Sequence, residues 1–467
     1  MSRAMPSRAR SARAGVTNTE RTAGQEELRC RWPRKENSIR NLQGGQVSIT
    51  LKRLDVLFAA LIAAGCGDVT MMSPDGAIPD TESPPQEITV TTYSPESYAL
   101  NGGAVRVNLV AYQDGDGEWQ AMSGANGVYK ASVRSKRYGV AVACTPHPYY
   151  ADAIQHAFVR VQHTTIDETT AIEEQVCFDP GRPRTIAITV IGDVGTGSAL
   201  IESASFTTIQ APGSISMSAP AGRFPVFGLT LPGGTSRLPV KVVRAQDVDT
   251  SIHSPVLVDL AQAVAPVSYP LTLPPELPSV SVTSYLRNDQ GLFARMPASA
   301  AAYYTVPAEM FHAEDLLRVS AFTSESETSS RTSVRYLAKA GPLQVDFGAP
   351  IAAAPPTFSR GAQLLPTFSF TTGRTSLPIV SYFLSAKAMT DTAEVTLDAS
   401  VSSGWLAGAT EVTYAYPDLS ALKGWLGGMA LPGGPVSWRV DRIENTTLDF
   451  VSGRTYFRAT AQGVATP

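Results

Sequence analysis

From Ile88 onward, apolar and polar residues alternate with a period of two. Val105, Val107 and Leu109 alternate with Arg106 and Asn108. Tyr129, Ala131 and Val133 alternate with Lys130, Ser132 and Arg134. Ile186, Ile188 and Val190 alternate with Thr185, Ala187 and Thr189, and Ile215, Met217 and Ala219 with Ser214, Ser216 and Ser218. Successive side chains on a strand point to opposite faces, so each segment has one core face and one solvent face. Turn formers punctuate the pattern: Gly102-Gly103, Asp114-Gly115-Asp116-Gly117, Asn126-Gly127, Gly195 with Gly197, Pro212-Gly213 and Pro232-Gly233-Gly234. Short strands at this spacing predict an all-β fold of tandem antiparallel β-sandwich modules. Helix is sparse. Pro307 to Leu317 predicts one short helix, and Asp418 to Lys423 another, ended by Gly424.

Pro-rich joints divide the chain. They lie at Asp179 to Pro183, Leu273 to Pro278 and Ala349 to Pro356. The expected modules are 87–179, 183–273, 279–348 and 357–467. Residues 66–86 hold Pro74, Pro79, Pro84 and Pro85 with several acids, the composition of a flexible tether.

Composition narrows the class. Of 467 residues, 43% are apolar and only 17% charged, with 37 Gly and 34 Pro. A coiled coil would carry far more charge, and a polytopic helical membrane protein would need repeated apolar runs of about 20 residues. Wholesale disorder is excluded by the apolar content. The net charge of −3 hides an asymmetry. Residues 1–46 carry ten Arg or Lys against four Glu, whereas the chain from Cys66 carries −10.

The segment that separates these two parts explains the asymmetry. Lys52 and Arg53 precede a ten-residue apolar run from Val56 to Gly65, which ends at Cys66. A charged start, a short apolar run and small residues before a cut site make a signal peptide, and ten residues are too few to span a bilayer. The run Leu61-Ile62-Ala63-Ala64-Gly65-Cys66 resembles a bacterial lipobox. The resemblance implies cleavage before Cys66 and acylation of its sulfur. Such a signal sits near a start codon, so Val47 is the expected true start. Residues 47–65 are then the signal peptide and 1–46 a mis-assigned or disordered leader. Two or more acyl chains anchor a protein stably to a membrane.

Two further cysteines, Cys144 and Cys177, enclose 32 residues. In an exported chain they are expected to form one disulfide, which would contribute about 3–4 kcal/mol. Two buried free thiols are the alternative.

Pro220-Ala221-Gly222-Arg223-Phe224 resembles a corner of carboxypeptidase-regulatory and transthyretin-like sandwiches. Residues 113–120, 138–144, 303–307 and 417–420 resemble lipoproteins of high-GC soil and predatory bacteria of the myxobacterial type, built from such Ig-like modules. The ratio of 30 Arg to 8 Lys agrees with a GC-rich genome. That group carries no assigned activity. The resemblance therefore implies a cell-envelope location, at the outer membrane, and a fold, but no chemistry.

Motifs for catalysis are weak. Asp114 to Trp119 begins like a calcium loop, but Trp119 stands where the loop needs Gly and no Glu closes it, so a hairpin turn is expected. His156 and His163 are seven apart in a predicted strand, hence on opposite faces, and no His-Glu-x-x-His occurs. Ser420-x-x-Lys423 lacks its partner motifs. Asp346-Phe347-Gly348 lacks the kinase Lys and catalytic loop. Gly192 to Ser198 lacks the phosphate-loop Lys. Trp405, Trp425 and Trp438 concentrate near the C-terminus. Aromatic rows stack on sugars or anchor interfaces, although core packing is the commoner role. The expected function is non-catalytic: binding, adhesion or structural support at the envelope, with no metal, no cofactor and no nucleic acid. Its expected partners are the membrane, through the lipid, and an envelope protein or polysaccharide. The alternatives are a carbohydrate-binding protein using those three Trp, and an envelope enzyme of unidentified type.

Overall fold

A computed structural model describes residues 84–92, 107–145, 154–174, 184–193, 198–203, 206–210, 212–219, 223–232, 240–245, 247–249, 255–277, 279–287, 293–296, 298–299, 301–359, 363–448 and 451–467. The leader, the signal peptide and Cys66 lie outside them, as do Cys177, Gly102-Gly103, Val105, Gly195, Gly197, Gly233-Gly234 and Pro220 to Gly222. The fold is all-β, with 58% strand, 4% helix and several sheets. No helix among the described residues is long and apolar enough to cross a membrane.

The alternating segments form the expected strands, Val128–Val133, Arg184–Ile191 and Gly213–Ala219 among them. The Asn126-Gly127 turn has φ of 54° and 75°. Two consecutive positive φ values match the twist of the flanking strands, which is why Asn-Gly serves there. Asp114-Gly115-Asp116-Gly117 is also a turn, as expected. The Asp114 carboxylate accepts the Arg134 and Ser135 N–H groups at 2.9 and 2.8 Å, and Asp116 pairs with Arg137 at 2.9 Å. Burial opposes ionisation of Asp114, but those N–H groups outweigh it and hold its carboxyl below the usual range.

Neither predicted helix forms. Ala308–Met310 is a single 3-10 turn, Leu316 already begins a strand, and 418–424 is a series of turns. The only α-helix among the described residues is the one-turn Ser403–Leu406.

The largest sheet has twelve strands. In spatial order these are Phe293–Met296, Ser281–Arg287, Leu316–Ser326, Ser329–Leu337, Thr455–Ala465, Val436–Asn445, Ile379–Met389, Ala393–Ser402, Gln155–Thr165, Arg137–Cys144, Leu109–Asp114 and Gln120–Ala121. All neighbours are antiparallel except Ala393–Ser402 and Gln155–Thr165, which run parallel. This sheet draws strands from three of the four intervals between the Pro-rich joints. Strand pairing passes across all three joints. Residues 183–273 keep three sheets of their own, whose core includes Ile188, Ile201 and Val258, and lend Val267–Thr272 to a further sheet with Ala302–Thr305 and Leu343–Gln344.

Strand Ile379–Met389 shows how the large sheet is layered. Val380, Tyr382, Leu384, Ala386 and Ala388 are buried, while Ser381, Phe383, Ser385 and Lys387 face outward. The inward row packs on Phe368, Phe370 and Tyr414, carried by the three-stranded sheet Ala353–Phe358, Pro366–Thr371 and Glu411–Ala415. Near the other end, a second small sheet covers the opposite face. Its Ile88, Val90, Val133 and Ile172 pack on Val110, Val140 and Val142. Strand Arg137–Cys144 is consequently buried on both faces.

Buried ionic groups pin the loops. Arg442, 1% exposed, pairs with Glu444 at 3.0 Å and donates to the carbonyls of Thr372 and Ala349. Glu444 in turn accepts the Ser376 and Leu377 N–H groups at 2.6 and 3.2 Å. Arg244 pairs with Asp247 and joins residues 183–273 to the following interval through Asp315 and the Met310 carbonyl.

Candidate functional site

His163 gathers the densest set of chemically capable side chains. It lies on Gln155–Thr165 directly opposite Gly139. A Cβ at Gly139 would fall 2.9 Å from the Trp119 ring and 3.0 Å from His163 Nδ1, so only Gly permits this approach. Trp119 meets the imidazole edge-on at 5.9 Å, Trp405 lies at 4.6 Å and Tyr414 at 5.5 Å. The Tyr414 hydroxyl is 3.1 Å from His163 Nε2. Arg137 sits over the Trp405 ring at 5.6 Å. Burial pushes the His163 pKa down to about 4, with Arg137 adding repulsion, so the ring is neutral at pH 7. Burial also raises Tyr414 above the usual phenol range.

The helix that carries Trp405 is held by a residue 234 positions before Ser402 in the chain. Ser402 Oγ caps it by accepting the Trp405 N–H at 3.1 Å. The Glu168 carboxylate accepts Ser402 Oγ–H at 2.5 Å and the Gly404 N–H at 3.1 Å. Burial opposes ionisation of Glu168, but these bonds and those from Thr165 prevail and hold its carboxyl below the usual range. Chemically this is a sealed junction: a neutral imidazole, one nitrogen bonded to a buried phenol and the other packed on Gly139.

A second concentration crosses the outward face of the large sheet. Arg160 pairs with Glu174 at 3.0 Å, and Arg439 with Asp441 at 3.1 Å. Both guanidiniums lie over the Phe383 ring, at 5.9 and 5.3 Å. Asp441 is 0% exposed and also accepts from Arg458 and Thr460. Asp398 lies opposite Arg160 in the register. Its pKa is raised by burial, against a hydrogen bond from Ser385 and the charges of Arg160 and Arg439. The row is an ion-paired lattice across adjacent strands.

The Trp residues singled out from the sequence all pack on the core. Trp438 is 6% exposed and lies within it, while Trp405 and Trp425 are half-buried against it. All three indole N–H groups are buried without a protein acceptor. Trp405 alone joins the His163 cluster. Cys144 is 0% exposed and is not a free thiol. His156 faces away from His163, as the spacing requires, and meets Glu394 at 3.3 Å. Asp346-Phe347-Gly348 serves packing: Arg331 lies over Phe347 at 5.8 Å and donates to the Gly348 carbonyl. No group of three His, Cys, Asp or Glu among the described residues could hold a metal ion. The alternation Val159, Val161, His163 is a usable signal for an inward His, but nothing local announces Tyr414 as its partner.

No protein-family model matches the chain, and no curated protein matches its sequence.

Proposed function

We propose that this chain is a bacterial lipoprotein, anchored by lipid on Cys66, whose β-sheets serve binding, adhesion or structural support at the cell envelope rather than catalysis. The observation that carries the reading is the series from Leu51 to Cys66: charged residues, a ten-residue apolar run and a small residue before Cys. The tether composition of 66–86 and the Ser- and Thr-rich solvent face of the sheets support it. So does the state of the polar clusters. His163 is sealed from water, and Glu174 and Asp441 are bound to arginines. A disulfide between Cys144 and Cys177 belongs to the same proposal, and the burial of Cys144 supports it. The proposed address is the outer membrane. The partners are the membrane and an envelope protein or polysaccharide.

Acyl labelling tests the reading. Cells fed labelled palmitate should label the wild-type chain and not Cys66→Ala. An unlabelled wild-type chain would sink the anchor. Protease shaving of intact cells then fixes orientation. Release of peptides from 88–467 places the sheets outward, and protection until the outer membrane is broken places them in the periplasm.

A further inference from the structure

The small sheet of Ala353–Phe358, Pro366–Thr371 and Glu411–Ala415 has two edges, and they differ. At one edge, Ala353–Phe358 carries Pro355 and Pro356 and shifts register between Ala354 and Thr357. Proline has no N–H to give, so this edge is blunted against further pairing. At the other edge, Glu411–Ala415 keeps an unbroken register with Pro366–Thr371 and contains no proline. The Tyr416 N–H donates to the Pro366 carbonyl, and the Thr372 N–H to the Thr410 carbonyl. Bonding residues alternate along an antiparallel strand, so Val412 and Tyr414 turn their backbone groups toward Pro366–Thr371. Glu411, Thr413 and Ala415 turn theirs to the outer side. All three are exposed, and no other strand pairs with them among the described residues.

This open strand is held from beneath. Val412 and Tyr414 are buried in the core. The Tyr414 hydroxyl meets His163 Nε2 at 3.1 Å, and the Tyr416 hydroxyl donates to the Val159 carbonyl at 2.9 Å. A strand fixed in extended form before it meets a partner loses little entropy on pairing. Val, Thr and Tyr also favour that geometry. The strand's one charge is Glu411, at its first position. The sequence of the strand fits itself. A two-fold axis at Thr413 sets Thr413 opposite Thr413 of a second copy, and Glu411 opposite Ala415. No like charges then face each other, and the threonine hydroxyls can bond across the axis. About six N–H···O bonds would join the two chains.

We propose that Glu411–Ala415 is a homodimer interface, at which two copies pair antiparallel about Thr413 and join their small sheets into one continuous sheet. The inference concerns assembly and goes beyond the envelope reading, since nothing in it needs the lipid. The self-matching register selects a second copy over an extended segment of another protein: the only charged residue of the strand meets a small neutral one, and the central pair is Thr on Thr. The Pro-bearing edge at Ala353–Phe358 closes the assembly at two, because the joined sheet then presents only blunted edges.

Sedimentation equilibrium of the full chain in density-matched detergent tests the pairing. Wild type should sediment at twice the chain mass of 49.5 kDa. Thr413→Glu sets like charges about 5.5 Å apart across the axis, beside Glu411 of each copy, and should weaken pairing by at least about tenfold. Fluorophore-labelled Thr413→Glu mixed with an excess of Thr413→Lys should sediment as two chains again, a recovery that a misfolded variant would not show. Thr413→Pro removes an outward N–H without touching a bond to Pro366–Thr371, and should sediment as one chain. One-chain mass for wild type, species larger than two chains, an undiminished dimer in Thr413→Glu, or no recovery with Thr413→Lys would each overturn the interface. Wild-type mass that rises only on addition of another envelope protein would overturn it in favour of that partner. Cys66→Ala, which lacks the proposed anchor, should pair as wild type. Acyl label without a dimer defeats only this inference, and a dimer without label defeats only the anchor.

Discussion

His163 sits neutral between two indoles and a phenol, and that arrangement makes its contribution to stability depend on pH. Its folded pKa of about 4 lies below the usual value of 6.5, so protons bind more readily to the unfolded chain. The contribution is fully present above pH 6.5 and declines as the pH falls toward 4. The difference amounts to about 3 kcal/mol. Thermal unfolding of wild type should therefore weaken between pH 7 and 4.5 more than that of His163→Gln. Equal slopes would refute the assignment. Gly373 provides a second case. Its φ is +65°, and a Cβ there would lie 2.6 Å from Arg442 Nη1. Gly373→Ala should cost about 1–3 kcal/mol by backbone strain alone, read from denaturant unfolding. Arg442→Met should cost more, about 3–5 kcal/mol, because Glu444 would remain buried without its cation.

The strands themselves are legible in the sequence because period-two alternation assigns each side chain a face. Ile186, Ile188 and Val190 are buried as their spacing requires, with Ile215 half-buried opposite Ile188. Alternation does not name a partner, however, and pairing decides the architecture. The joint at Ala349 to Pro356 reads as a module boundary, yet Ile379–Met389 pairs on one side with a strand that leads back to Gln155–Thr165. The helix predicted at Pro307 to Leu317 fails for a related reason. Val319 and Ala321 continue the buried alternation of Leu317, so the segment from Leu316 takes strand geometry. The site is legible only in part. Trp405 stands out by its type, but its neighbour His163 lies far away in the chain. One consequence belongs to strand Gln155–Thr165, which has Arg137–Cys144 on one side and Ala393–Ser402 on the other. The interval 87–179 expressed alone should expose that edge and aggregate. Co-expression with 357–467 should restore solubility, measured by the soluble fraction after lysis. A soluble monomer of 87–179 would show that the parallel pair is dispensable.

For the molecule as a whole, the ion-paired face, the sealed imidazole and the buried Arg442 each tie distant parts of the chain to one sheet. The parallel pair has a consequence in time. His156 and Glu394, neighbours across that pair, are 238 residues apart in sequence. A ribosome adds about 5–20 residues per second, so the first strand waits on the order of ten to fifty seconds for its partner to be made. Contacts so far apart also slow closure after synthesis. During that interval the edge of Gln155–Thr165 is a template for any passing strand. A chain that leaves the ribosome in this order carries an unpaired strand edge while its second half is still being made.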